Sequence, residues 1–211
     1  LEGLNFTQIS AIPFLGEFHM AKHSVDVAQP DYKVKPNEIQ AFGTLKDLPI
    51  ALADNARHQS VEALNQILVD TITLRDMYKK HHWQVSGVTF YQLHLLLDKH
   101  YEEQAEFVDV IAERIQSLGG LAYAMAHDVA ENTRLARPPK GREDVPTQLA
   151  RLLEAHQAML AYFRKAAADA AEYGDDGTND LIVSSLIRTH ELQVWFVAEH
   201  LAATPLLAQD R

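Results

Sequence analysis

The chain has 211 residues, 47% apolar and 8% aromatic, enough for one domain with its own core plus an extension. Its formal net charge of −10 argues against a surface that attracts DNA uniformly, because non-specific DNA binding rests on Lys and Arg neutralising phosphates. The absence of cysteine excludes disulfides, iron–sulfur clusters and thiolate zinc sites, leaving nitrogen and oxygen donors for any metal.

Residues 1–53 contain Pro13, Pro30, Pro36 and Pro49 with little sustained periodicity, and read as a mostly extended N-terminal arm. Residues 54–211 read as a helical bundle. Leu1–Phe18 is moderately apolar, but Gly3, Pro13 and Gly16 interrupt it and no basic segment precedes it, so neither a signal peptide nor a membrane span is expected. Within the arm, Glu17, His19, His23 and Asp26 gather four metal-capable side chains. His19 and His23 are four apart, so one helical turn would put both imidazoles on one side, where zinc or another divalent ion could be held. A solvated loop with scattered histidines is the plainer reading.

A first long helix is expected from about Asp54 to Ser86, on the stripe Leu64, Ile67, Leu68, Thr71, Arg75, Tyr78, His82 and Val85. Thr89 and Gln92 form a T-x-x-Q capping box that predicts a second helix from Phe90, ended by Gly119-Gly120. Its apolar stripe is Phe90, Leu93, Leu97, Tyr101, Gln104, Val108, Ile111, Ile115 and Leu118, and His100 reads as a surface or interface histidine. Residues 121–144, with Pro138-Pro139 and Gly141, form a long connection containing a short helix around Asp128 to Leu135. Such a crossover suits a bundle whose second and third helices are not antiparallel neighbours.

A third helix is expected from Pro146 to about Tyr173, with His156 and Met159 in its core stripe. The turn 174–180 holds Asp175, Asp176 and Asp180. It reads as helix punctuation with Thr178 as N-cap, or as an acidic ring at a pore that would attract cations. The last helix runs from Asn179 to about Ala203 with Leu181, Ile182, Leu186, Thr189, Leu192, Trp195 and Phe196 buried. His190-Glu191 is not a zinc-protease motif, because Val194 stands where H-E-x-x-H needs histidine. The fold class is therefore an all-α four-helix bundle.

The chemistry concentrates between His82 and Glu113, where His82, His94, Asp98, Asp109 and Glu113 can all bind a hard or borderline metal. At 100° per residue, His94, Asp98, Asp109 and Glu113 share one helical face within an arc of about 100°. The midpoints of the two pairs are nevertheless about 22 Å apart along the axis, whereas metal–ligand bonds are about 2 Å long. Two copies packed antiparallel about a twofold axis would unite them, with His82, His94 and Asp98 from one chain and Asp109 and Glu113 from its mate.

His82, Trp83 and Gly87, then Phe90, Leu93, His94 and Asp98, then Asp109, Glu113 and Arg114 reproduce a spaced pattern that resembles the Dps family, the mini-ferritins named as DNA-binding proteins from starved cells. The resemblance covers about residues 55–205 and leaves residues 1–50 without a counterpart. It implies a ferritin-like four-helix subunit in a hollow twelve-subunit homo-oligomer, with ferroxidase sites between twofold-related chains. Those sites would oxidise Fe²⁺, preferably with hydrogen peroxide, and the ferric oxide would be stored inside. The site residues it implies are His82, His94 and Asp98, with Glu113 bridging or anchoring and Asp109 at a weaker position. Trp83 would be an aromatic neighbour able to absorb an oxidising equivalent, unless it only packs at a subunit contact, and Arg114 would pair with a carboxylate. The family default is cytoplasmic; a processed, exported or envelope form stays open.

Two competing readings exist. A catalytic di-metal carboxylate enzyme would carry Glu-x-x-His motifs in its bundle core, and no histidine here has glutamate three residues before it. A DNA-compacting protein with an incidental metal site would need a basic arm. Residues 1–50 instead carry Lys22, Lys33, Lys35 and Lys46 against Glu2, Glu17, Asp26, Asp31, Glu38 and Asp47.

Overall fold

Helices that bury one apolar stripe each must meet around a shared core. The computed structural model of the chain describes residues 33, 35 and 37–202 and is all-helical there. Its elements are α1 (Asp54–Gln84), α2 (Phe90–Ser117), α3 (Ala126–Asn132), α4 (Val145–Glu172), α5 (Asp176–Asp180), a π-helical segment (Leu181–Ile187) and α6 (Arg188–Glu199). α1 and α2 form one antiparallel hairpin, held by side-chain contacts from Arg57 near Leu118 to His82 beside His94. α4 with α5, the π segment and α6 forms the other, and the crossover bearing α3 joins them. No described helix is long and apolar enough to cross a membrane.

The core draws on every long helix: Leu64 and Ile67 of α1, Leu97 and Ile111 of α2, Leu152 and Phe163 of α4 are all fully buried. Burial of each such side chain contributes roughly 2 kcal/mol. α2 ends in a Schellman turn, with Gly120 N–H donating to the Ile115 carbonyl (3.0 Å) and Gly119 N–H to that of Gln116 (2.9 Å). Gly119 sits at φ +88°, and a Cβ there would lie 2.3 Å from the Lys46 carbonyl oxygen, so only glycine fits.

That contact redraws the boundary of the arm. Lys46 N–H donates to the Gly119 carbonyl (2.8 Å), Gln40 Nε2 donates to the same oxygen (2.9 Å), and Leu45 and Leu52 pack on the core. Residues 38–53 therefore belong with the bundle, which forms a unit beginning at Glu38. The crossover is pinned by Asp70, whose buried carboxylate accepts from Thr133 Oγ1, Arg134 N–H and the Arg134 guanidinium. Arg134 in turn stacks 3.9 Å from the ring centroid of Tyr162 on α4.

Three local expectations are corrected. Thr89 precedes α2, but at φ −99°, ψ 15° its side chain makes no capping bond. The N-cap after the acidic turn is Asp175 rather than Thr178: its carboxylate accepts from Thr178 N–H (3.0 Å) and Thr178 Oγ1 (2.7 Å). Beyond Ile187 the buried face of the last helix is displaced by one residue. His190, Gln193 and Val197 are buried, whereas Leu192, Trp195 and Phe196 are exposed. The wider π turn holds more residues than a regular 3.6-residue turn, so every later side chain rotates onward around the axis.

His100 is buried, not superficial. It lies on the Leu93, Leu97, Gln104 stripe with its ring edge-on to Tyr78 at 5.2 Å, and its Nδ1 has no hydrogen-bond partner among the described residues. Burial pushes its pKa down to about 4 from 6.5, Lys99 adds to the drop and Glu103 opposes it. Burial also depresses His156, and lowers His190 to about 3. A histidine depressed on folding takes up its proton more readily when unfolded, so its contribution is intact above about pH 6.5 and is lost as pH falls toward 4. His100→Phe, which removes one such group, is expected to flatten the pH dependence of urea-unfolding stability between pH 6.5 and 4.5 by about 1.4 kcal/mol per pH unit. An unchanged slope would mean that His100 titrates normally.

Candidate metal centre

The five-residue link between α1 and α2 brings His82, in the last turn of α1, against His94, just past the first turn of α2. Their rings stack at 3.7 Å between centroids and 22° between planes. His82 Nδ1 lies 2.8 Å from the His94 carbonyl oxygen, and His94 Nδ1 lies 3.0 Å from that of His82. A carbonyl can only accept, so each Nδ1 carries the hydrogen and each Nε2 is left with a lone pair, the form that binds metal. The reciprocal bonds also satisfy the His82 carbonyl, one of the open carbonyls at the end of α1. These backbone contacts orient both imidazoles before any ion arrives.

Asp98 lies one turn beyond His94, with Oδ1 3.8 Å from His82 Nδ1. The same oxygen accepts a hydrogen bond from Lys79 Nζ at 2.5 Å. That ammonium chiefly holds the Asp98 carboxyl below the ordinary aspartate range, with smaller help from His82 and His94. Lys79 is a neighbour that ligand spacing does not reveal; its signal is a basic residue one turn before His82.

Asp109 and Glu113 are exposed near the opposite end of α2, away from these three. No group of three or more His, Cys, Asp or Glu side chains within one chain is arranged to hold an ion, among the described residues. The α2 surface carrying these residues is mixed: Tyr91, Leu95 and Val110 are exposed together with Lys99, Glu102 and Glu106, and Trp83, next to His82 on α1, is exposed at 69%. A groove between α1, α2 and the crossover is lined by Ile72, Met77, Val108, Ala112 and Ala122, with Arg75 and Asp76 also in its wall.

The bundle centre, where an intrachain di-metal enzyme would place its carboxylates, holds a different set of groups. Tyr78 Oη lies 2.6 Å from His156 Nε2, His156 Nδ1 3.0 Å from His190 Nδ1, and Gln104 Nε2 3.1 Å from His190 Nε2. Gln104 Nε2 also donates to Gln193 Oε1 (2.9 Å), and Gln193 Nε2 donates to Glu103 (2.7 Å). Glu103 can only accept, which fixes the amide directions and makes Gln104 the donor to His190. These buried polar groups bond one another across all four long helices, and only Gln104 Oε1 among them has no partner among the described residues. None of the fully buried members is a carboxylate.

The remaining candidates separate. Asp175 is buried, caps α5 and pairs with Arg114 Nη2 at 2.5 Å, so it leaves the acidic pore set. Burial pushes its carboxyl up, and hydrogen bonds from Thr178 with the Arg114 guanidinium more than offset this, leaving it below the ordinary range. Arg114 thus does pair with a carboxylate, but not with one of the metal-capable set. Asp176 and Asp180 are exposed, and Asp180 accepts from Ser184. Glu17, His19, His23 and Asp26 lie outside the described residues.

Comparison with known proteins places this geometry in context. The ferritin-like domain family matches residues 61–207. DpsC from Streptomyces coelicolor has a similar structure, with TM-score 0.80 and 56% identity over 82% of this chain and 100% of that one. An archaeal Dps homologue from Halobacterium salinarum gives TM-score 0.78 and 27% identity over 83% of this chain and 97% of that one. Among curated relatives, a nutrient stress-induced DNA-binding protein from Nostoc sp. is 33% identical over 80% of this chain and 91% of its own length.

Arg114→Leu strands the Asp175 carboxylate in the interior, and is expected to cost about 3 kcal/mol in urea unfolding. Combining it with Asp175→Asn, which keeps an acceptor for Thr178, should recover part of that loss. Equal stability of Arg114→Leu and wild type would show that the pair contributes nothing.

Proposed function

We propose that this chain, which belongs to the Dps family of ferritin-like proteins, oxidises ferrous iron at sites completed between twofold-related subunits and stores the product as ferric oxide in a hollow homo-oligomer. The observation that carries this reading is the division of α2: preset imidazoles and Asp98 at one end, Asp109 and Glu113 exposed at the other, and no ion-holding group within one chain among the described residues. A second copy lying antiparallel on the exposed face of α2 would bring the halves together and cover Tyr91, Leu95 and Val110.

In such a site His82 and His94 present Nε2 lone pairs that accept Fe²⁺, while carboxylates from both chains favour Fe³⁺. With room for two ions about 3.5–4 Å apart, each Fe²⁺ gives one electron to hydrogen peroxide. The peroxide takes up two protons and leaves as two waters, and no hydroxyl radical is released. Trp83, exposed and next to His82 in the sequence, would supply a stray electron. Hydrolysed Fe³⁺ then grows as mineral in the cavity of a twelve-subunit cage. Protection of DNA would follow from removing iron and peroxide together. Direct contact with DNA is disfavoured by the net charge of −10, although the Nostoc relative is named as DNA-binding.

Anaerobic loading with Fe²⁺ followed by peroxide should consume one peroxide per two Fe²⁺ in the wild type, and His94→Ala should abolish the fast phase. Unchanged kinetics in His94→Ala would defeat the assignment. The shared site has a sharper test. His94→Ala and Glu113→Ala are each expected to be inactive, yet dissociating, mixing and reassembling them should restore about one quarter of the wild-type sites, since half the random dimers are mixed and each rebuilds one intact site. No recovery from properly assembled mixtures would count against sites built from two chains.

A further inference from the structure

The ammonium of Lys79 is bonded to one oxygen of Asp98, a carboxylate that the proposed metal site would use. Lys79 lies one turn before His82 on α1, its side chain is largely enclosed, and its Nζ bonds Asp98 Oδ1 at 2.5 Å. The same Nζ lies 4.5 Å from the ring centroid of Tyr101, which faces it from α2. Asp98 Oδ2 has no hydrogen-bond partner among the described residues, so the carboxylate is half engaged by a fixed cation and half open.

We infer that Lys79 is a built-in competitor for the cation at Asp98, which keeps metal bound there exchangeable. The inference rests on the reading that His82, His94 and Asp98 bind metal. A divalent ion taking Oδ2 must tolerate a like charge one carboxylate's width away, or displace it. A lysine suits displacement, being a point charge on a flexible stem where arginine would form a rigid two-pronged pair. The Tyr101 ring offers the displaced ammonium a second resting place, because its π face attracts a cation without a carboxylate.

The consequence differs from that of a site built only for affinity. Iron is substrate here and must leave after oxidation, when its added charge binds carboxylate more tightly. A tethered cation that returns to Asp98 competes with the product and empties the site for the next pair of ions. In the metal-free protein the same lysine neutralises Asp98 and holds its side chain in place.

The test uses Zn²⁺, which cannot be oxidised, in calorimetric titration of the assembled protein, with His94→Ala marking the heat that belongs to this site. Lys79→Met removes the charge and keeps the stem, and is expected to tighten His94-dependent Zn²⁺ binding at least tenfold. Lys79→Arg keeps the charge and should bind Zn²⁺ no more tightly than wild type. Should Lys79→Met fail to assemble, Lys79→Gln takes its place with the same expectation. Equal or weaker binding in the uncharged variants, with His94-dependent binding intact in the wild type, overturns the role of Lys79 and leaves the metal site standing. Absence of His94-dependent Zn²⁺ binding from wild type and variants alike overturns both.

Discussion

A metal–ligand bond reaches about 2 Å, and α2 sets its two groups of metal-capable side chains an order of magnitude further apart. This mismatch governs the molecule. A helix is a stiff rod, so no local adjustment closes the gap within one chain. On the proposed reading each subunit carries half of a site at each end, and the exposed Tyr91, Leu95 and Val110 lie at those ends, on the surface that would meet the second copy. Within one chain the fold can only prepare each half. It does so most completely at the α1–α2 link, where two backbone carbonyls set the protonation of His82 and His94.

The interior is arranged to leave that chemistry at the surface. A ferritin-like bundle has room for a carboxylate cluster at its centre. Here the centre is taken by Tyr78, His156, His190, Gln104 and Gln193, whose bonds diverge from the Gln104 amide, which donates toward Gln193 and Glu103 on one side and toward His190 on the other. Burial keeps the histidines neutral, and neutral imidazoles can act as donor and acceptor at once, which a chain of bonds through the core requires. The interior network fixes how the helices meet, and its charge state ties stability to pH.

Several charged contacts act at joints. Asp70 ties the crossover to α1 through Thr133 and Arg134, and Arg134 reaches Tyr162 of α4, so one carboxylate connects the two hairpins. Asp175 and Arg114 link the start of the last helix to the end of α2, close to Glu113. Lys79 differs from these in bonding a metal-capable carboxylate rather than a structural one, a distinction that lies in which carboxylate it meets and not in the type of bond.

Helix positions, the glycine-ended turn after α2, and the buried His156 and Met159 are legible from residue order, because each depends on spacing along a single helix. So is the distance between the His94–Asp98 and Asp109–Glu113 pairs, which follows from helix rise alone. Properties set by what lies across from a residue were not legible. His100 is polar and in sequence reads as a surface or interface histidine, yet it faces Tyr78 in the core. Thr178 resembles a cap in sequence, yet the Asp175 carboxylate accepts from its amide. Residues 38–53 lack periodicity, and join the bundle through backbone bonds to Gly119 that no side-chain pattern announces. The π-helical segment moved the buried face of the last helix by one residue, because the width of a turn depends on packing and leaves no mark in a 3.6-residue repeat. Periodicity records the geometry of one element; partners, turn width and burial of polar groups are decided only when elements meet.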